Sequence, residues 1–198
     1  HVVIDTHEYI KTNCYQHQLQ EVLREHYDVV YVTKDEVKMM AARNQKVSPR
    51  LLLVALKLRS LVAILPEMKK VFDDSPAVVY EQDTYENFID ASPYRGSYSK
   101  ITGYLNVKTF IGISKTWSDK VNSAGFRSDW CKAGILPHYC STGIEWAMRP
   151  IQNGFSGRKY PHRVEYVENL RKMGIPVSWS EEYYDFWGYL KYVKKVGM

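Results

Sequence analysis

AVVYEQDTYENFID, residues 77–90, changes character in its middle. The first four residues are a short apolar run rich in β-branched side chains, the signature of a strand. Glu81, Gln82 and Asp83 then arrive together, and aromatic and acidic residues follow at roughly helical spacing. A strand that stops in a polar tip and gives way to a helix is the repeating unit of parallel α/β sheets. Such a sheet binds ligands outside the carboxyl ends of its strands, so the acidic tip falls where the fold places a cleft.

The same alternation extends in both directions. VVID (2–5) and DVVYVT (28–33) read as strands, separated by an amphipathic helix over 14–27 with Leu19, Val22 and Leu23 at helical spacing. SPRLLLVALKLRS (48–60) reads as a helix, with Ser48 and Pro49 as a start signal. The following run, 61–74, continues helically with a kink at Pro66. Helical signals recur over 84–90 and 93–106. TFIGIS (109–114) is a strand, 115–125 a helix closed by Gly125, and 132–137 a strand stopped by Pro137.

Residues 138–153 carry no period and contain Gly143 and Pro150. After them the pattern restarts: strand 151–157, helix 160–174, strand 175–179, helix 180–197. The expected organisation is a Rossmann-like domain over 1–140, a linker over 141–150, and a partial second Rossmann-like unit over 151–198. The fold class is α/β, a parallel sheet with helices on both faces. A two-stranded unit cannot bury its own faces, so it is expected to dock on the first domain or to continue beyond Met198.

Composition narrows the function classes. The net charge is +5, yet Lys and Arg are scattered and no long basic run occurs, which disfavours nucleic acid as a partner. The 16 Tyr and 5 Trp suit either an aromatic core or sites that stack on sugars and bases. Cys14, Cys131 and Cys140 are odd in number and widely spaced, as in a reducing compartment. CKAGILPHYC (131–140) lacks the short paired spacings of a zinc site. LLLVALKLRSLVAIL (51–65) is interrupted by Lys57, Arg59 and Ser60 and is too short to span a bilayer. A cytoplasmic location follows, with peripheral contact at a membrane's inner face left open by the basic balance.

The strand tips supply the candidate residues. His7 and Glu8 follow the first strand, Glu81 and Asp83 the tip quoted above, and Ser114 and Lys115 the strand at 109–114. Asp83, with Glu81, is placed to take a proton from a hydroxyl or to orient it. Asp83 also stands three residues before Glu86, the spacing of a reciprocal helix cap, and the two roles are compatible. In the second unit, Gly157 and Arg158 follow a strand and Arg163 falls near the start of the next helix. Guanidinium groups beside a helix N-terminus suit a diphosphate, although surface arginines beside a turn give the same short pattern. GxGxxG, GxxxxGK[ST] and GxSxG are all absent from the sequence.

Three passages carry a resemblance. FIGISKTWSDKVNSAGFRSDWCKAGILPHY, GFSGRKYPHRVEYVENLRKMGIPVSW and VVYEQDTYENF resemble segments of the GT-B glycosyltransferases, in the group that includes the CgeB-like spore-maturation proteins. In the second passage four residues separate Gly157-Arg158 from Arg163, which stands where that family commonly has Lys. A Gly-rich loop usual after the first strand is replaced here by THEYIKTNCYQ. The resemblance implies transfer of a sugar from a nucleotide-sugar donor to an acceptor hydroxyl on a glycan or lipid-linked molecule. It implies no metal and no resident cofactor, with Gly157, Arg158 and Arg163 on the donor diphosphate and Asp83 and Glu81 on the acceptor side with His7, Glu8, Ser114 and Lys115. The contrasting expectation is a non-catalytic module of the same fold that serves as a scaffold or glycan-binding subunit.

Overall fold

A computed structural model describes residues 2–5, 15–81, 83–131, 151, 153–156 and 159–180. The chain divides into two compact units, His1–Ile135 and Leu136–Met198.

The first unit is a wholly parallel, doubly wound α/β sheet of Rossmann-like type. Its elements in chain order are β1 (Val2–Asp5), α1 (Tyr15–His26), β2 (Val30–Thr33), α2 (Lys34–Ala42), β3 (Leu52–Val54), α3 (Leu58–Val62), α4 (Leu65–Val71), β4 (Pro76–Tyr80), α5 (Ser97–Tyr104), β5 (Asn106–Gly112), α6 (Lys115–Ser123) and β6 (Ser128–Trp130). A single 3-10 turn, Thr84–Asn87, lies between β4 and α5. The strand order is β2-β1-β3-β4-β5-β6. This is the flavodoxin-like 2-1-3-4-5 succession with a sixth strand added, and its order reverses at β1.

That order decides which face each helix covers. Parallel crossovers are right-handed, and only the β1-to-β2 connection runs in the opposite direction. α1 therefore lies on one face and α2 to α6 on the other. Burial alternates accordingly. Leu52, Val54, Ala77, Val79 and Phe110 are buried with Val37, Leu58, Leu61, Met68, Tyr98 and Val121 in one core. Their strand neighbours Leu53, Val78, Tyr80 and Ile111 point the other way and are only partly covered.

Several expectations are corrected. LLLVALKLRS is not helical: it splits into β3 and α3. Leu52 and Val54 pair with Val2 and Ile4 on one side and with Ala77 and Val79 on the other, making β3 a central strand. A short apolar run has the same composition in a central strand as in a buried helix. α2 was not expected at all. It starts at a capping box in which Glu36 N–H donates to Thr33 Oγ1 at 3.2 Å and Thr33 N–H to Glu36 Oε2 at 2.6 Å. Pro66 kinks nothing, because it sits in the first turn of α4, where its missing N–H is tolerated. The strand expected over 132–137 lies outside the described residues, as does the helix expected over 180–197 apart from Ser180, which belongs to a strand.

β6 was also unforeseen. Two side chains of α6 fasten it: Asn122 Nδ2 donates to Ser128 O at 2.8 Å and Ser128 N–H donates to Asn122 Oδ1 at 2.8 Å, while Ser118 Oγ donates to Asp129 O at 3.2 Å. Asn122→Ala removes both of its bonds and leaves two backbone groups short of partners. The expected loss is ~1–3 kcal/mol in urea denaturation; a loss below ~0.3 kcal/mol would show that water replaces the amide there.

The second unit contains a βαβ turn. β7 (Gly154–Ser156) pairs in parallel with β8 (Ser178–Ser180), and α7 (Pro161–Lys172) connects them. Both strands are shorter than the sequence periodicity implied. Asn153 Nδ2 donates to Pro176 O at 3.1 Å and Arg171 Nη2 to Val177 O at 2.7 Å, fixing the return from α7 to β8.

A candidate strand-tip site

β4 and β5 are neighbours, so their carboxyl ends share one edge of the first unit. Glu81 continues the ladder beyond β4, its N–H donating to Ile111 O at 2.9 Å. Strand alternation then turns its side chain into the helix-covered core, where Glu81 is 1% exposed. One carboxyl oxygen accepts the Asp83 N–H at 2.8 Å. The other, Oε2, has no partner of good hydrogen-bond geometry among the described residues, although the Leu58 N–H lies near enough to the carboxyl to lower its titration. Burial raises the Glu81 carboxyl from the usual range to about 8, against the opposing effect of the Asp83 N–H bond. Near neutral pH this group is therefore largely the uncharged acid.

Other buried polar groups surround it. Thr84 donates its hydroxyl to Glu81 O at 3.3 Å. The Tyr98 hydroxyl is buried beside the Thr84 side chain; desolvation and then the nearby Glu81 carboxyl raise its titration, and the Thr84 contact lowers it. A Cβ at Gly112 would stand 3.1 Å from both Thr84 Oγ1 and Ser118 Oγ, so a larger residue there requires those hydroxyls to give by a few tenths of an ångström. Asn87 joins the turn to α5: Tyr98 N–H donates to Asn87 Oδ1 at 2.9 Å and Gly96 N–H to Asn87 O at 3.0 Å.

Asp83 emerges from this base at the surface, partly exposed. The reciprocal cap with Glu86 does not form, since Asp83 makes no side-chain cap bond and the segment is one 3-10 turn. Its N–H is held by Glu81 instead, and its carboxylate stays available. Glu86 beside it titrates higher than usual through desolvation and the Asp83 charge, with Arg59 and Lys57 pulling the other way. Those two cations were hidden from sequence reasoning by the helical reading of 48–60. Only when β3 ends at Val54 do Lys57, which precedes α3, and Arg59, in its first turn, reach the same edge.

Ser114 is the first residue before α6 and makes no side-chain cap bond. Lys115 lies along the helix, its Nζ 2.7 Å from Asp119 Oδ2 in an exposed pair. α6 meets the acidic turn through Trp117, whose ring stacks on Phe88 at 6.0 Å and 19° and lies 6.3 Å from Tyr85. Glu81, Asp83, Ser114 and Lys115 thus belong to adjacent strand ends. His7 and Glu8 lie outside the described residues.

In the second unit Arg163 occupies the first turn of α7. Its guanidinium lies 4.9 Å from the Tyr160 ring centre and 5.6 Å from that of Phe155. Tyr160 also stacks on His162 at 5.9 Å and 9°. The Arg163 and Val164 N–H groups already donate to Tyr160 O, at 2.9 and 3.0 Å, and Pro161 has none to offer. Charge at this helix start therefore comes from side chains more than from backbone donors. Gly157 and Arg158 lie outside the described residues.

No protein-family model, curated protein or solved structure matches this chain. Among the described residues no three His, Cys, Asp or Glu side chains gather in a group able to hold a metal ion. No described helix is long and apolar enough to cross a membrane.

Proposed function

We propose that this protein is a glycosyltransferase of GT-B type that moves a sugar from a nucleotide-sugar to an acceptor hydroxyl. The observation that carries the reading is the carboxylate pair at the β4 tip: one acid is buried and neutral, the other partly exposed and anchored by it. In the reaction the bond from the anomeric carbon to the diphosphate oxygen breaks, and a bond to the acceptor oxygen forms. Asp83 takes the acceptor's proton. Glu81 is a positioning residue that holds the Asp83 backbone. The departing electron pair resides on the diphosphate, stabilised by Arg158 and Arg163. Arg163 supports this role because aromatic rings hold its guanidinium in place, which lowers the entropy lost when it grips a phosphate.

Calorimetric titration with UDP and GDP tests the assignment. Arg163→Ala and Arg158→Ala are each expected to weaken diphosphate binding by about ten- to a hundredfold, the worth of a charge-assisted bond. Equal affinity in wild type and both variants would remove the donor site from this segment.

A further inference from the structure

The sheet of the first unit ends at β2, which pairs with β1 on its inner side. Native sheets commonly protect such an edge with Lys, Pro or a bulge, because its outward N–H and C=O groups can pair with another strand. VYVT, the sequence of β2, holds no Lys and no Pro, and its register with β1 runs without a shift. Val30 is 59% exposed. Beside it lies a groove of about 450 Å³ between β2 and α2, lined by Val30 and Val32 from the strand and by Glu36, Met39, Met40 and Arg43 from the helix.

α2 carries two stripes. Val37 and Ala41 face the core and are buried. Glu36, Met39, Met40 and Arg43 follow the spacing i, i+3, i+4, i+7 and form a second stripe along the groove. Met39 is 50% exposed. The charges sit at the two ends, an acid at the start and a base two turns later, about 10 Å along the axis and too far apart to pair with each other. The capping box holds the acid in place: Glu36 Oε2 accepts the Thr33 N–H at 2.6 Å and the Thr33 hydroxyl at 2.9 Å, which leaves Oε1 for a donor from outside. Arg43 is exposed at the end of α2 and has no ion pair among the described residues.

We propose that this face binds a second copy of the chain about a two-fold axis, with α2 antiparallel to its mate and the two β2 edges side by side. A stripe that reads acid, apolar, apolar, base is complementary to itself only when reversed. With the axis between Met39 and Met40, Glu36 of each copy meets Arg43 of the other, and each Met39 meets a Met40. A parallel alignment sets acid on acid and base on base. The flexible methionines can fill an uneven seam between the helices. The same axis runs the two β2 strands antiparallel, so their outward backbone groups can pair. The inference does not rest on the transferase reading.

Sedimentation velocity on the full chain, from about 5 to about 500 μM, reads the pairing. The expected result is a reversible dimer with a Kd of roughly 10–100 μM, the weak class suited to a face of one short helix and one short strand. Arg43→Glu sets acid against acid at both ends and is expected to weaken the dimer at least about tenfold; Glu36→Arg does the same with bases. Mixed in equal amounts, these two variants complement each other at both ends and are expected to form a heterodimer of about wild-type affinity. Met39→Asp puts a charge at the axis and is expected to weaken the dimer at least about tenfold. Lys100→Glu, exposed on α5, carries the same charge change as Arg43→Glu and is expected to dimerise as wild type. Circular dichroism and melting establish that each variant folds. If Glu36→Arg, which also loses the capping box, fails to fold, Arg43→Glu and Met39→Asp decide. A wild-type chain that stays monomeric throughout, or a mixture no tighter than its separate folded components, overturns the proposal. A dimer unweakened in folded Arg43→Glu or Met39→Asp also overturns it and places the contact elsewhere on the chain.

Discussion

Glu81→Gln is expected to be more stable than wild type at pH 8 and nearly equal to it at pH 4.5. The wild-type carboxyl titrates at about 8 in the folded protein and near 4.5 when unfolded. Between those values the folded state keeps a proton that the unfolded state has released. Stability therefore falls as pH rises through this window, by up to ~1.4 kcal/mol per unit, and levels off above it. Below the unfolded value both states are protonated and the penalty vanishes. Glutamine keeps an oxygen to accept the Asp83 N–H and has nothing to ionise. The gap between variant and wild type should open to ~2–5 kcal/mol by pH 8, a melting shift of several degrees for a chain of this size. Urea denaturation at pH 4.5, 6.5 and 8 measures it. Glu86 is also raised, by desolvation and the Asp83 charge, and it tilts both proteins alike, so the difference reports Glu81. Parallel stability profiles would mean that the Glu81 carboxyl is ionised and solvated in the folded state.

Tyr98→Ala is the substitution expected to cost most. The ring is 1% exposed at the centre of the aromatic part of the core. It stacks on Phe110 at 4.1 Å and 3°, and meets Phe126 and Phe88 edge-on at 6.0 and 6.3 Å. Through its backbone it joins α5 to Asn87. Truncation opens a cavity bounded by the β5 strand and α5, neither of which can close without breaking ladder or helix bonds. The expected loss is ~3–5 kcal/mol. Tyr98→Phe separates the ring from its hydroxyl. Because that oxygen meets the Thr84 side chain without good hydrogen-bond geometry, its removal should leave stability within ~1 kcal/mol of wild type or raise it. A loss of ~2 kcal/mol or more in Tyr98→Phe would show that the hydroxyl is firmly bonded, to Thr84, to Glu81 or through water.

The alternation of strands and helices, the wholly parallel class and the restart after residue 150 were legible because they follow from periodicity and turn chemistry, which are local. VVID, AVVY and the run at 109 announce themselves as strands, and Gly125, with φ +87°, closes α6 as its position implies. The acidic β4 tip was legible for the same reason. β3 was not. LLLVAL holds no alternation to read, and its identity depends on β1 and β4 lying on either side of it. Misreading it also hid Lys57 and Arg59 from the candidate site. The capping box Thr33–Glu36 was readable in principle, as Ser/Thr followed three residues later by Glu.

What the sequence determined by itself is the kind of fold and the residues at its strand ends, because apolar spacing and turn residues act over a few positions. What tertiary structure alone decided is that Glu81 and Asp83, two residues apart, become chemically unlike. Pairing with β5 sends one carboxyl into a core made by α5 and α6 and leaves the other at the surface. Strand order, also a long-range property, set α1 against one face of the sheet and α2 to α6 against the other. Both outcomes depend on contacts between segments distant in the chain, whose free energy no local window contains.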